Sequence, residues 1–177
     1  MATQTLIAKE GISKVSTHKV AKQAGISVGT IYLYFKDKED LLNQLIHFLF
    51  QQYNECLSQN YDSKLPIIEQ YDQFWTNHWG FLQKYPDAVM NIHQYEALPQ
   101  FREVCRAYSE IPDLPYHLFV FQGKKENVIA DLPIDIIYEL TLQVATSIAY
   151  SQIVDNKQYD DGVLEDVKKR TWKAITI

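Results

Sequence analysis

Thr17, Thr30, Tyr32, Tyr34 and Lys38 are the residues best placed by type and spacing to do chemistry, and that chemistry is hydrogen bonding rather than bond breaking. Tyrosine hydroxyls donate to phosphate or stack on sugar, lysine adds charge, and the uncharged neighbours Val28 and Gly29 are short enough to enter a major groove. Catalytic patterns are missing. There is no GxSxG, no phosphate-binding loop, no HExxH and no Cys–His pair that spacing would bring together. His93 and Glu96, three apart on a helix, could both reach one metal ion, but without a second pair a surface hydrogen bond is the simpler reading. The chain therefore reads as a binding protein and not an enzyme, with no metal and no cofactor.

The elements that must position these residues are helices. STHKVAKQAGISVGTIYLYF, from Ser16 to Phe35, has the logic of a helix-turn-helix. Val20 and Ala21 face inward, with small Ala21 allowing a close crossing, and Gly25 stops the first helix. Ile26 is expected to plug the gap between the helices, and Ile31 with Phe35 anchors the second one inward. Ser16, Ser27 and Asp37 are expected caps, the last paired with Asp40 in a box-like arrangement. The resulting helices are a short one up to Glu10, then Thr17 to Ala24, Val28 to Tyr34, and a long one from near Lys38. Val28, Gly29, Thr30, Tyr32 and Tyr34 then face outward, with Thr17 and Lys38 at the rim where flanking phosphates would lie. A glycine-terminated helix pair alone is only a hairpin. The uninterrupted succession of an AxxAGIS turn, a GTIYLYF helix and a KDKEDLL cap carries the reading.

Bulk properties agree. The chain has 177 residues, 46% of them hydrophobic, enough for a substantial core. Cys56 and Cys105 form no disulfide framework and read as reduced thiols in a cytoplasmic protein. No long apolar run and no signal-peptide pattern are present, so no membrane partner is expected. The net charge of −5 is unevenly distributed: six lysines against two acids give +4 over residues 1–38, and eleven cations against twenty acids give −9 over the rest. That asymmetry suits a small basic contact module on an acidic body. No convincing strand pattern occurs, and all six prolines fall after residue 65, so the fold class is all-α.

Downstream, a helix after Pro66 carries a mostly aromatic face up to Pro86. Tyr71, Phe74, Trp75, His78, Trp79, His93, Tyr95, Tyr116 and Phe119 are the candidate lining of a ligand pocket, although residue by residue plain core packing is the simpler account. Sparse cationic residues there favour a bulky apolar or cationic ligand over a strongly anionic one. One helix is expected after Pro133 and a last one over about 161–175. Their residues Ile137, Leu140, Val144, Ile148, Val163, Val167 and Trp172 are the candidate dimer interface, the alternative being that both helices close the protomer core.

The string VAKQAGISVGTIYLYFKDKEDLLNQL resembles the signature of the tetracycline-repressor (TetR/AcrR) family of bacterial regulators, over about residues 6–50. The resemblance implies an N-terminal three-helix helix-turn-helix DNA-binding domain, residues 1–45, and a C-terminal helical ligand-binding and dimerisation domain, residues 46–177. It further implies that Thr17, Val28, Gly29, Thr30, Tyr32, Tyr34 and Lys38 contact double-stranded operator DNA. The implied protein is a homodimeric repressor on a palindromic operator, its reading helices ~34 Å apart, released by an unidentified small-molecule effector. MATQTLIAKEG is about two turns shorter than the family's usual first helix. That departure sustains a competing reading, a helical ligand- or partner-binding protein with a weakened, vestigial DNA module.

Overall fold

The computed structural model describes residues 1–177. Eleven α-helices follow one another: α1 Ala2–Glu10, α2 Thr17–Ala24, α3 Val28–Tyr34, α4 Lys38–Leu57, α5 Ile67–Lys84, α6 Pro86–Glu96, α7 Pro99–Ser109, α8 Pro115–Lys125, α9 Ile134–Leu140, α10 Leu142–Val154 and α11 Asp161–Ile175. The only β-type pairing is an isolated bridge between Ile129 and Thr176. No helix is long and apolar enough to cross a membrane, and Cys56 and Cys105 are free thiols.

The chain divides into two compact units, Met1–Gln52 with Pro86–Glu110, and Tyr53–Tyr85 with Ile111–Ile177. In the first, Leu6 and Ile7 of α1, Val20 and Ala21 of α2, Ile31 of α3 and the α4 stripe Leu41, Leu42, Leu45 and Ile46 form one buried cluster. Tyr95 of α6 and Val104 of α7 complete it. The packing of this unit continues past residue 45 into α4, α6 and α7. Three hydrogen bonds tie α1 and the turn after it to α6: Thr5 to Asp87 at 2.8 Å, the Ile12 amide to Gln94 at 2.8 Å, and Asn91 to the Gln4 carbonyl at 2.9 Å. A short α1 cannot cover its own apolar side, and α6 and α7 supply the missing surface.

In the second unit α5 is the central helix and packs against α8, α10 and α11. Ile67, Tyr71, Phe74, Trp75, His78 and Leu82 form its buried face, meeting Tyr116, Phe119 and Val120 of α8 and Leu142, Ala145 and Ala149 of α10. The single helix expected after Pro133 is broken at Thr141 (φ −123°, ψ −89°), between α9 and α10. The Thr141 hydroxyl donates to the Ile137 carbonyl at 2.6 Å, one of the acceptors the break exposes.

Candidate nucleic-acid interface and buried aromatic core

Local chemistry builds the reading helix. The Ser16 hydroxyl accepts from the Lys19 amide at 3.3 Å and opens α2. Gly25 closes it at φ 70°, ψ 28°, a left-handed conformation that glycine adopts without steric cost. Two reverse bonds complete the stop, Ile26 amide to Ala21 carbonyl at 3.0 Å and Gly25 amide to Lys22 carbonyl at 3.2 Å. Ser27 then caps α3, accepting from the Thr30 amide at 3.1 Å. Asp37 accepts from the Asp40 amide at 2.8 Å, and Asp40 reaches back to the Lys36 amide, also at 2.8 Å. The expected box is thus displaced by one residue. The Lys36 amide, and after it the Gln44 amide group, hold the Asp40 carboxyl below its ordinary range.

Ile31 is buried, and this fixes which side of α3 faces out. At about 100° per residue, the far side from Ile31 belongs to Gly29 and Leu33. Leu33 is 80% exposed, Tyr34 71% and Tyr32 52%. Leu33, absent from the expected contacts, is therefore the most outward side chain of the helix. The period of the sequence already contained that signal. Val28, expected to face out, is half-buried and leans on the core, and Thr30 is half-buried with its hydroxyl 2.9 Å from that of Ser27. Ile26 does not plug the helix pair and is 43% exposed. The left-handed turn at Gly25 carries the chain outward, and Val15 is the buried residue supplied by the neighbouring segment.

Thr17 and Lys38 are engaged in holding the module together. Thr17 is buried, its hydroxyl 3.2 Å from the Tyr32 phenol, so α2 orients one of the tyrosines of α3. Lys38 Nζ donates to the Ser13 carbonyl at 3.2 Å, which fixes the ammonium beside the turn before α2. Lys19 pairs with Glu10 at 2.6 Å and lowers that carboxyl's pKa. Lys9, Lys14, Lys22 and Lys36 are exposed. An uncharged, aromatic reading face with cations around it can sit in a groove while phosphates are held at the rim.

The second unit gathers Tyr71, Phe74, Trp75, His78, Tyr116 and Phe119, all buried, with Trp79 half-buried and stacked on Trp75 at 5.7 Å. His93 and Tyr95 do not join them, since both belong to the first unit. His93 is exposed and bonded to Glu96 at 3.0 Å, and Tyr95 is part of the cluster under α1. His78 lies at the centre of a chain that satisfies a neutral ring. Tyr138 lies 3.1 Å from the Tyr53 hydroxyl, which lies 2.9 Å from His78 Nδ1, while His78 Nε2 lies 3.1 Å from the Thr146 hydroxyl. With a proton on Nε2, Tyr53 donates to Nδ1 and Nε2 donates onward. Burial lowers the His78 pKa to about 4 against a smaller opposing effect from the Leu142 backbone, so the ring is uncharged at neutral pH. Burial likewise pushes the Tyr53 hydroxyl well above its usual range.

The expected interface residues divide. Ile137 is completely buried in its own protomer, so it cannot meet a partner. Leu140 and Val163 are exposed, and Val144, Ile148, Val167 and Trp172 are half-buried. Trp172 also packs on Tyr71, ring centres 5.0 Å apart.

Comparison with known proteins accounts for most of the chain. Residues 2–45 match the family model described as bacterial regulatory proteins, tetR family, and residues 66–176 match the tetracyclin repressor-like, C-terminal domain. An HTH-type transcriptional regulator of Haemophilus influenzae is 38% identical over 98% of this chain and 91% of its own length. The crystal structure of a TetR-family transcriptional regulator from the same organism superposes with a TM-score of 0.90 at 38% identity, covering 99% of this chain and 93% of that one. The transcriptional regulator FadR of Bacillus subtilis, crystallised with stearoyl-CoA, shares the fold at a TM-score of 0.76 and 20% identity, covering 98% of this chain and 96% of that one.

Proposed function

This chain belongs to the tetR family of bacterial regulatory proteins, and on that premise we propose that it is a repressor, a homodimer that holds a palindromic operator and releases it to a small-molecule effector. As a TetR-family transcriptional regulator it is a helix-turn-helix DNA-binding protein and not an enzyme. The observation that carries the reading is the capped, glycine-turned pair α2–α3, which anchors Ile31 and leaves Tyr32, Leu33 and Tyr34 outward. Gly29 lets the backbone of α3 approach base edges, Tyr32, Leu33 and Tyr34 fill the groove, and Thr17 and Lys38 serve phosphates from the first turns of α2 and α4.

Leu140, Val144, Ile148, Val163, Val167 and Trp172 are the surface offered to the second protomer, because they retain exposure on the last helices. Two copies would set their reading helices ~34 Å apart, one helical turn of DNA. The effector enters among the aromatic residues of the second unit, a reading supported by the stearoyl-CoA held by the FadR relative. The protein acts in the cytoplasm, where its DNA lies.

The test is binding of the purified chain to the duplex upstream of its own gene, with an unrelated duplex as competitor. Specific binding that weakens by orders of magnitude between about 50 and about 200 mM salt is expected. A folded dimer that binds neither duplex even at low salt overturns the repressor reading and leaves a ligand- or partner-binding protein.

A further inference from the structure

We propose that the effector of the second unit is electrically neutral where it is buried, and that it carries a carbonyl or ether oxygen which accepts a hydrogen bond from the indole N–H of Trp75. The inference rests on the effector-released reading above and adds the chemical class.

Helix α5 buries four side chains with polar atoms, Gln70, Tyr71, Trp75 and His78. Three are satisfied within the fold. Gln70 accepts from the Tyr61 hydroxyl at 3.2 Å and donates to the Leu65 carbonyl at 2.7 Å. Tyr71 lies 2.7 Å from the Thr171 hydroxyl, and His78 uses both ring nitrogens, on Tyr53 and Thr146. Trp75 is the exception: the residue is 4% exposed and its Nε1 has no partner. A buried donor left unpaired is uncommon because water, its alternative partner, is excluded. Trp79, half-buried, stacks on Trp75 at 5.7 Å and 18°.

Charge selects the class. No Asp, Glu, Lys or Arg is buried in this unit. Beside α5, Lys168 is engaged by carboxylates of the fold, 3.5 Å from Asp72 and 3.1 Å from Glu165. An anion drawn to the indole donor would lose its hydration without gaining a counter-charge, and a cation would meet the positive edge of the ring. A neutral acceptor meets neither penalty. Phe74, next to Trp75 in α5, packs on Tyr116 at 5.5 Å and on Phe119 at 5.3 Å, so the interior beside α5 is aromatic and suits an apolar body.

Four matched probes test this on the full chain: methyl 2-naphthoate, 2-naphthoate, 2-naphthylmethyl-trimethylammonium and 2-ethylnaphthalene. Equilibrium dialysis gives affinity, and spectra of ¹⁵N-indole-labelled protein follow the N–H of each of the three tryptophans. The ester is expected to bind at least about tenfold more tightly than either charged probe and to move the Trp75 N–H resonance downfield, whereas 2-ethylnaphthalene binds without that shift. Trp75→Phe is expected to lose about tenfold for the ester and little for 2-ethylnaphthalene. The resonance reports on the native chain, so misfolding of the variant does not hide the answer. Tightest binding by a charged probe, no binding of the ester, or an unmoved Trp75 resonance overturns the proposal. The operator duplex in the same samples separates the two readings. Release by a charged probe alone refutes neutrality and keeps the effector-released regulator, while ester binding through Trp75 without any effect on bound DNA does the reverse.

Discussion

Acidification offers a test of the buried core that can be worked from one residue. His78 is completely enclosed, hydrogen-bonded through both nitrogens, and its pKa is lowered to about 4 by burial, against about 6.5 in an unfolded chain. Above about pH 6.5 the ring is neutral in both states and costs nothing. As pH falls below that value the unfolded chain takes up the proton while the folded one refuses it, so stability is lost until the folded pKa near 4 is reached. At about pH 4.5 the preference amounts to nearly two pH units of proton affinity, about 2.5 kcal/mol. The measurement is urea unfolding at about pH 7 and about pH 4.5 for the wild-type chain and His78→Gln, at one fixed protein concentration because dimer formation would shift the midpoints. Glutamine preserves a donor and an acceptor but cannot titrate. Glu10 and Asp40, whose carboxyl pKa values are lowered by Lys19 and by the Lys36 amide, also lose stability on acidification, but equally in both proteins. The variant is expected to lose about 2.5 kcal/mol less than the wild type between the two pH values. Equal losses would refute the reasoning, since His78 would then be accessible to protons in the folded state.

Other outcomes follow from the same geometry. Gly25→Ala forces a left-handed φ of 70° on a residue with a Cβ that meets nothing within 4 Å; the cost is purely conformational, about 1 kcal/mol, and should appear as a lowered thermal midpoint that Gly25→Asn partly restores. Gly123→Ala drives a methyl group into the side chain of Ile129, and a loss of about 1–3 kcal/mol is expected in the same assay, with Gly123→Ala/Ile129→Val recovering part of it. Tyr32→Phe removes the phenol that lies 3.2 Å from Thr17, and Lys38→Ala removes an ammonium at the rim; both are expected to weaken operator binding severalfold with dimerisation unchanged by sedimentation, and only Lys38→Ala should flatten the salt dependence. Leu33→Glu, on the most exposed residue of α3, should abolish specific binding while leaving the unfolding midpoint within about 0.5 kcal/mol of wild type, and retained affinity would show that α3 does not face DNA.

The helix-turn-helix was legible because its signals are local. Ser16, Ser27 and Asp37 each accept from an amide three residues on, and Gly25 stops α2 within its own turn; such contacts depend on sequence neighbours and survive whatever the rest of the chain does. The period that turns Ile31 inward on α3 turns Leu33, two positions on, to the opposite side. His93 and Tyr95 stood together as pocket candidates although residues two apart on a helix point to opposite sides, and the one is exposed while the other is core.

What the sequence by itself determined is therefore the all-α class and the helix-turn-helix with its caps and turn. What only the tertiary structure decided is which face meets which. It assigned α6 and α7 to the first unit, buried Ile137 while leaving Leu140 exposed three residues later, broke the helix at Thr141, and left the buried N–H of Trp75 without a partner. The physical reason is that a helix's own hydrogen bonds close within four residues and are written in the local sequence, whereas the partner of a buried side chain is set by packing between elements that are distant along the chain.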